Sequence, residues 1–196
     1  MDNKTELDGL SIEKVNQIAE HYKAIISLLS EDTDREGLVK TPMRAAKAMA
    51  FLTSGYRKDA KKIVESAIFS HEGSRMVIVK DIEFHSLCEH HILPFFGKVS
   101  IGYIPDGKIV GLSKIARAVE VFARRLQVQE RMTRQICDLL TDELSAKGVI
   151  VMSEATHMCM RMRGVEKQES TTQAIEYSGL FEDASYRQEF LSMLDK

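Results

Sequence analysis

Residues 113–147 carry apolar side chains at helical spacing and are bracketed on both sides by strand-like runs, an order that leaves few folds open to the chain. Ile115, Ala118, Val119 and Phe122 form one stripe, and Met132, Ile136, Leu139 and Leu140 form a later one. The spacing predicts one long helix from Ser113 to about Lys147, stopped by Gly148. Ahead of it, residues 76–85 and 97–104 read as strands, and Pro105-Asp106-Gly107-Lys108 reads as a turn leading into Ile109-Val110. Behind it, residues 149–163 read as a long strand, 165–178 as a further one, and 183–194 as a short terminal helix. The first ten residues read as a polar, loosely held tail. Then Ile12, Val15, Ile18, Ala19, Tyr22, Ile25, Ile26 and Leu29 recur three and four apart, which predicts a helix capped by Ser11. Glu31 to Gly37 breaks it. Thr41-Pro42 opens a second helix, with Thr41 as cap and proline in the first helical position, and Gly55 is its expected end. Two helices, two strands, a long helical segment and two more strands indicate an α+β fold. We expect a tail and helical segment over residues 1–70 and a strand-rich region over 71–196, working as one unit.

Hydrophobic residues at 44% and charged residues at 29% suffice for a soluble core, and a formal net charge of -2 gives no general attraction to nucleic acid. Any basic site must be local. The start lacks a basic-then-apolar pattern and no apolar run reaches spanning length, so the expected compartment is the cytoplasm, with no membrane partner. Reduced cysteines there are ligands, nucleophiles or core. Cys137, between Ile136 and leucines at helical spacing, reads as core.

Cys88-Glu89-His90-His91 closes the first strand. A cysteine and a histidine three apart in a tight loop can reach one metal ion, although such a cluster alone is often incidental. A second stretch strengthens it. If Ala155 to Arg163 is a strand, His157, Cys159, Arg161 and Arg163 share one face, and Met158, Met160 and Met162 share the other. The methionines suit a core, whereas a histidine, a thiol and two guanidiniums in a row suit either a site or a solvent-exposed edge. Cys88, His91 and Cys159 together make a Cys2His set for zinc, with a fourth tetrahedral position open to water, whose pKa there falls to about 7. His90 and His157 remain for proton transfer. The competing reading is a closed structural zinc, with His85, His90 or His157 as fourth ligand.

Gly111-Leu112-Ser113-Lys114-Ile115-Ala116-Arg117 starts the long helix, with Ser113 as its expected cap. Lys114 and Arg117 share a face. With Arg161 and Arg163 they form a basic set suited to a polyphosphate, or simply ordinary surface charge. Glu130, in Leu126-Gln127-Val128-Gln129-Glu130-Arg131, is an acceptor-only group able to take the paired N–H donors of a guanine edge, or merely a surface acid.

These segments together resemble GTP cyclohydrolase I. Thr41-Pro42-Met43-Arg44, Cys88-Glu89-His90-His91, Gly111-Leu112-Ser113-Lys114, Gln127-Val128-Gln129-Glu130-Arg131 and His157-Met158-Cys159 with Arg163-Gly164 fall in that family's order, from about Ser11 to the terminal helix. The resemblance implies a tunnelling fold, a β-β-α-α-β-β core assembling into a ring, with two helices where periodicity predicts one and a break near Gln127 to Gln129. It implies a homodecamer of two facing pentamers with active sites between subunits, and GTP as substrate. It also implies zinc on Cys88, His91 and Cys159, His157 as the acid for the purine N7, and His90 as its partner. Glu130 would anchor guanine, with Gln129 and Leu112 beside the base and Ser113 near the ribose. Lys114, Arg117 and Arg163 match triphosphate positions, Arg44 matches an arginine from a neighbouring subunit, and Arg161 joins them more loosely. The implied product is 7,8-dihydroneopterin triphosphate, with formate released. One stretch departs from the family: Ser170, Thr171 and Thr172 fit its threonine-rich strand, but Gln173-Ala174-Ile175-Glu176 do not.

Overall fold

The structure, a computed structural model, describes residues 5–194. It divides into compact units of residues 1–58 and 59–196. In the first, β1 (Glu6–Leu7) and β2 (Leu10–Ser11) form a hairpin where a loose tail is predicted. The signal is Asp8-Gly9, both at positive φ (50° and 74°), the dipeptide that a two-residue hairpin turn favours. Leu7 and Leu10 pack on Val15, Ala19, Ala46 and Ala50, the small core between α1 (Ile12–Leu28) and α2 (Thr41–Leu52). Ser11 caps α1 as expected, accepting from the Lys14 amide at 3.4 Å. Thr41 does not cap α2. It is the first helical residue, after Lys40, and its hydroxyl donates to Gly37 O at 3.2 Å. Nor does Gly55 end α2, which stops at Leu52; Gly55 lies inside the following 3-10 turn, Ser54–Arg57.

The second unit is built on a five-stranded sheet. Its elements are α3 (Ala60–Glu65), β3 (Ile68–Ser70), β4 (Val77–Cys88), β5 (Pro94–Ile104), β6 (Lys108–Val110), α4 (Leu112–Ala123), β7 (Leu126–Gln127), α5 (Gln129–Leu144), β8 (Gly148–His157), α6 (Met158–Arg161), β9 (Thr172–Gly179) and α7 (Ala184–Leu194). Strand order is β7-β4-β5-β8-β9, antiparallel except for the β7–β4 pair, with β3 and β6 as a separate ribbon. The alternation of β8 explains the layering. Val149 and Val151 join the main core with Val99, Ile101, Val119, Ile136 and Leu140, while Ile150 points to the opposite face and packs with Phe181 and Phe190. The sheet thus has α4 and α5 on one face and α7 on the other, a mixed α/β architecture. No helix among the described residues is long and apolar enough to cross a membrane.

Two corrections follow from backbone hydrogen bonding. The long helix of residues 113–147 is two helices, because Leu126 and Gln127 leave the helical path to pair with Leu87 and Cys88. The exit is satisfied locally: Gln127 Nε2 donates to Phe122 O at 3.1 Å and Arg125 Nε to Val121 O at 2.9 Å, two of the last carbonyls of α4. The second helix ends at Ser145, which is left-handed (φ 48°), and Gly148 begins β8 instead of stopping a helix. The predicted strand 149–163 also ends early, at His157. Its neighbour β5 begins at Pro94, one residue beyond the Phe95–His157 pair, and β9 begins opposite Ala155. Residues 158–161 have no ladder partner, so they close their backbone locally as α6, with the Met162 amide bonded to Met158 O at 3.0 Å. The single-face arrangement of His157, Cys159, Arg161 and Arg163 is therefore replaced by a helical turn. The methionines beside them are half-buried or exposed, and not core.

Candidate metal centre and active site

Cys88 is the last residue of β4 and is buried. The chain reverses after it in a loop closed by Cys88 N→Leu93 O at 2.8 Å and Ile92 N→Cys88 O at 2.8 Å. The reversal requires Ile92 at φ 55°, a left-handed conformation that costs a β-branched residue about 1–2 kcal/mol. Local strain of this kind is tolerated where the surroundings over-determine the backbone. Here Glu89 supplies part of the hold: its carboxylate receives Arg131 Nη1 at 2.6 Å and Nη2 at 2.8 Å, and its amide donates to Gln127 O at 3.0 Å. The ligand loop is thereby fastened to the start of α5.

From the other side, α6 turns Cys159 back towards Cys88. A continued strand would have carried it roughly 6–7 Å past the sheet end. Cys88 Sγ, Cys159 Sγ and a ring nitrogen of His91 all lie within 4.8 Å of one another, and Cys88 Sγ is 3.9 Å from His91 Nδ1. A tetrahedral ion bonded at about 2.0–2.3 Å holds its donors roughly 3.5–3.8 Å apart, so small side-chain movements suffice to fit the three to one ion. Electrostatics suit a cation at this point. Burial, and then the sulfur of Cys88, push the Cys159 thiol above its ordinary value, so two sulfurs at this spacing need a positive partner to ionise together. Cys137, by contrast, is buried in the core as expected, its thiol pushed up to about 11 mainly by burial.

His91 reports a further constraint. Its Nε2 lies 3.1 Å from Arg163 Nη1. A guanidinium only donates, so Nε2 is the lone-pair nitrogen in this arrangement. A metal on Nε2 would take that lone pair, and a metal on Nδ1 of a neutral ring would leave the hydrogen on Nε2. Coordination by His91 therefore frees Arg163.

Beside the three donors is a cavity of about 250 Å³ lined in part by His90, Gln129, Glu130, His157 and Thr172. His90 is exposed at its mouth, Nδ1 3.8 Å from Cys88 Sγ. Glu130 is exposed at the start of α5. His157 stacks on Phe95, with centroids 4.7 Å apart and planes 2° from parallel, and its Nε2 meets Gln129 Oε1 at 2.8 Å. Gln129 is only 1% exposed. Sequence reasoning missed Phe95, which pattern alone presents as core, and the Glu89–Arg131 pair, although both residues sit inside the motifs that drew attention.

Of the basic set only Arg163, against His91, touches a residue lining this cavity. Leu112, Ser113 and Lys114 lie at the opposite end of α4 from β7 and Arg117 at its middle, and all four are absent from the cavity lining. A helix of that length spans roughly 18 Å. Ser113 is not the cap of α4: the helix begins at Leu112 after Gly111, with no side-chain cap bond, and the Gly111 amide is tied to Ala67 O at 2.9 Å. Arg161 Nη2 donates to Thr156 Oγ1 at 3.2 Å, and its Nε is buried with no hydrogen-bond partner among the described residues. Arg44 is exposed on α2 in the N-terminal unit.

The GTP cyclohydrolase I family model matches residues 18–195. The chain belongs to the GTP cyclohydrolase I family. Curated members align along nearly its whole length. GTP cyclohydrolase 1 of Porphyromonas gingivalis is 54% identical over 184 residues, 94% of this chain and 95% of that one. The Bacteroides thetaiotaomicron protein of the same name is 56% identical over 180 residues, 92% of each chain. GTP cyclohydrolase 1 2 of Pseudomonas aeruginosa is 52% identical over 178 residues, 90% of this chain and 98% of that one. For this family member, the Cys88, His91 and Cys159 cluster is the place a metal ion would occupy.

Burial lowers the proton affinity of His157 below the ordinary 6.5, and the Glu130 carboxylate pulls the other way. The unfolded chain then binds this proton more readily than the folded one. His157 withdraws stability as pH falls through 6.5, and the loss stops growing below its folded value. In metal-free protein, the urea midpoint should drop further between about pH 7.5 and about pH 5.5 for the wild type than for His157→Gln, which takes no proton there. Equal drops would remove His157 from the pH response.

Proposed function

We propose that the chain opens the imidazole ring of the guanine of GTP by hydrolysis, releases C8 as formate, and rearranges and closes the remainder to 7,8-dihydroneopterin triphosphate, the first step of pterin and tetrahydrofolate synthesis. The net change consumes one water per GTP. The observation that carries this reading is the grouping of two thiols and an imidazole beside one cavity with His157 and Glu130. We take the ion to be zinc, since two thiolates and one neutral imidazole suit its borderline-soft character and balance its charge. When bound, zinc supplies a nucleophile of hydroxide strength at neutral pH.

The remaining work belongs to side chains. Glu130 accepts from the N1–H and exocyclic amine of guanine and sets the depth of the base. His157, flat against Phe95, delivers a proton to N7, which draws electrons from C8 as the new C–O bond forms. His90, exposed beside Cys88 and Glu89, moves protons in the later hydrolysis. Leu112 and the Gln129 backbone flank the base, Ser113 lies by the ribose, and Lys114, Arg117, Arg163, Arg161 and Arg44 hold the triphosphate. The triphosphate does not react, so those contacts serve orientation. Residues 71–196 carry the chemistry and residues 1–70 the helical appendage, within a tunnelling fold and a cytoplasmic setting.

Assembly completes the site. The outer edge of β9 and most of the outer edge of β4 have no strand beside them among the described residues, and head-to-tail pairing of such edges closes a ring. A decamer of two facing pentamers meets both this need and the separation of Lys114 from Cys88.

The test is to incubate metal-loaded protein with GTP and follow ultraviolet absorbance for the pterin and formate by enzymatic assay. One formate per GTP consumed is expected. GTP retained intact on the protein, as a non-catalytic zinc-stabilised binding module would do, or conversion to a nucleoside diphosphate, overturns the reading.

A further inference from the structure

Behind His157 is a closed circuit of buried polar groups that the reaction as described does not use. Gln129 Nε2 donates to Thr172 O at 3.0 Å, to Ser153 O at 3.1 Å and to Ser153 Oγ at 3.0 Å. Ser153 Oγ meets Thr133 Oγ1 at 2.7 Å, and Thr133 Oγ1 donates to Gln129 O at 2.8 Å. Gln129 and Ser153 are buried on α5 and β8, and Thr133 lies one turn further along α5, fully buried.

The orientation of the Gln129 amide in this circuit is forced. Backbone carbonyls only accept, so the face of the Gln129 amide towards Ser153 O and Thr172 O must be its NH2. Likewise Thr133 gives its hydrogen to Gln129 O, which leaves Ser153 to donate to Thr133 and to accept from Gln129. The amide oxygen then has one orientation, towards His157. At 2.8 Å an acceptor faces Nε2, so Nε2 must carry hydrogen. The other tautomer would set two lone pairs against each other in a buried site.

We propose that Gln129 is a positioning residue for His157, locked by Ser153 and Thr133 so that the neutral ring holds its hydrogen on Nε2, takes up a proton from solvent at Nδ1, and passes that second proton to the substrate N7. This rests on the reading of His157 as the proton-carrying group. It reassigns Gln129: its side-chain amide is committed to the scaffold and to His157, and is not left over to read the base. Phe95 fixes the plane of the ring, and Gln129 fixes its rotation and tautomer within that plane.

The variants are Gln129→Met, close in volume without the amide, and the pair Thr133→Val and Thr133→Ser, the first removing and the second keeping the hydroxyl. Each is prepared with its metal bound. Nitrogen-15 NMR of histidine-labelled holoenzyme should show His157 with hydrogen on Nε2 in the wild type and in Thr133→Ser. In Gln129→Met the signal should become a mixture of tautomers. With GTP, kcat should fall about 10–100-fold for Gln129→Met while KM and metal content stay within about twofold, the pattern of a group acting through another. Thr133→Val should fall in the same direction and Thr133→Ser should recover. A wild-type ring with hydrogen on Nδ1, or a Gln129→Met variant that loses KM and keeps kcat, overturns the proposal. Were the proposed reaction itself wrong, wild type would release no formate from GTP, yet the tautomer of His157 would still be readable.

Discussion

Replacing His157 by alanine is expected to lower formate release from GTP by about 10²–10⁴-fold while leaving the bound metal in place. The two halves of this expectation come from different parts of the site. His157 lies outside the group of three donors, so the ion keeps its ligands. It lines the same cavity, pressed flat on Phe95, so its loss removes the proposed proton donor and leaves the pocket otherwise formed. The substitution also strands the Gln129 amide oxygen without its donor, a desolvation cost of about 1–3 kcal/mol. A melting curve must therefore accompany the assay. Metal content by plasma spectrometry and GTP binding by calorimetry separate a chemical defect from an unfolded one. An alanine variant that retains wild-type formate release would exclude His157 from the chemistry.

Two inactive variants should rescue one another. Lys114 lies near the start of α4, and Cys88 pairs with the strand that follows its far end, so the helix between them rises roughly 14 Å. A single chain cannot set both groups on one base and its triphosphate unless the nucleotide stretches along the helix. If one copy supplies the metal centre and a neighbour supplies Lys114, Lys114→Ala and His157→Ala each spoil every site in a pure assembly. In a randomly mixed assembly, one site in four receives both intact halves, so co-expression should restore about a quarter of wild-type activity. The measurement is formate release by the co-purified mixed oligomer, compared with each variant alone. No recovery in an oligomer that demonstrably contains both chains would place the two groups in one copy's site.

Much of this arrangement is legible in the sequence. Cys88, His91 and Cys159 stand out because thiols and imidazoles recur in two separate stretches, and the structure brings all three within 4.8 Å. What pattern cannot supply is tertiary hydrogen bonding. The apolar stripes of residues 113–147 are compatible with one helix or two, and only the pairing of Leu126 with Leu87 decides for two. The alternation from Ala155 to Arg163 fits a strand, and only the lack of a partner strand beyond Phe95 turns it into a helical turn. The Asp8-Gly9 hairpin was readable from its turn chemistry but was masked by the polarity around it. Gln129 illustrates a different limit. Its motif marks it as part of the site, yet whether its amide faces substrate or scaffold depends on Ser153 and Thr172, which come from distant segments.

Gly97 of β5 shows how closely the sheet is built at this end. A Cβ on Gly97 would fall 1.8 Å from Glu154 O, inside the backbone of the neighbouring strand. The close approach of β5 and β8 fixes the register in which Phe95 faces His157. The position of His157 is thus a consequence of strand packing, and the positions of Cys88 and Cys159 a consequence of where strand pairing ends.

The account rests on a single ion held by Cys88, His91 and Cys159. Metal analysis of the purified protein, followed by chelation and an ultraviolet assay with GTP, tests it most directly. We expect one zinc per chain, a folded but silent metal-depleted protein, and recovery of pterin formation when zinc is returned. Undiminished turnover by protein free of bound metal would contradict it.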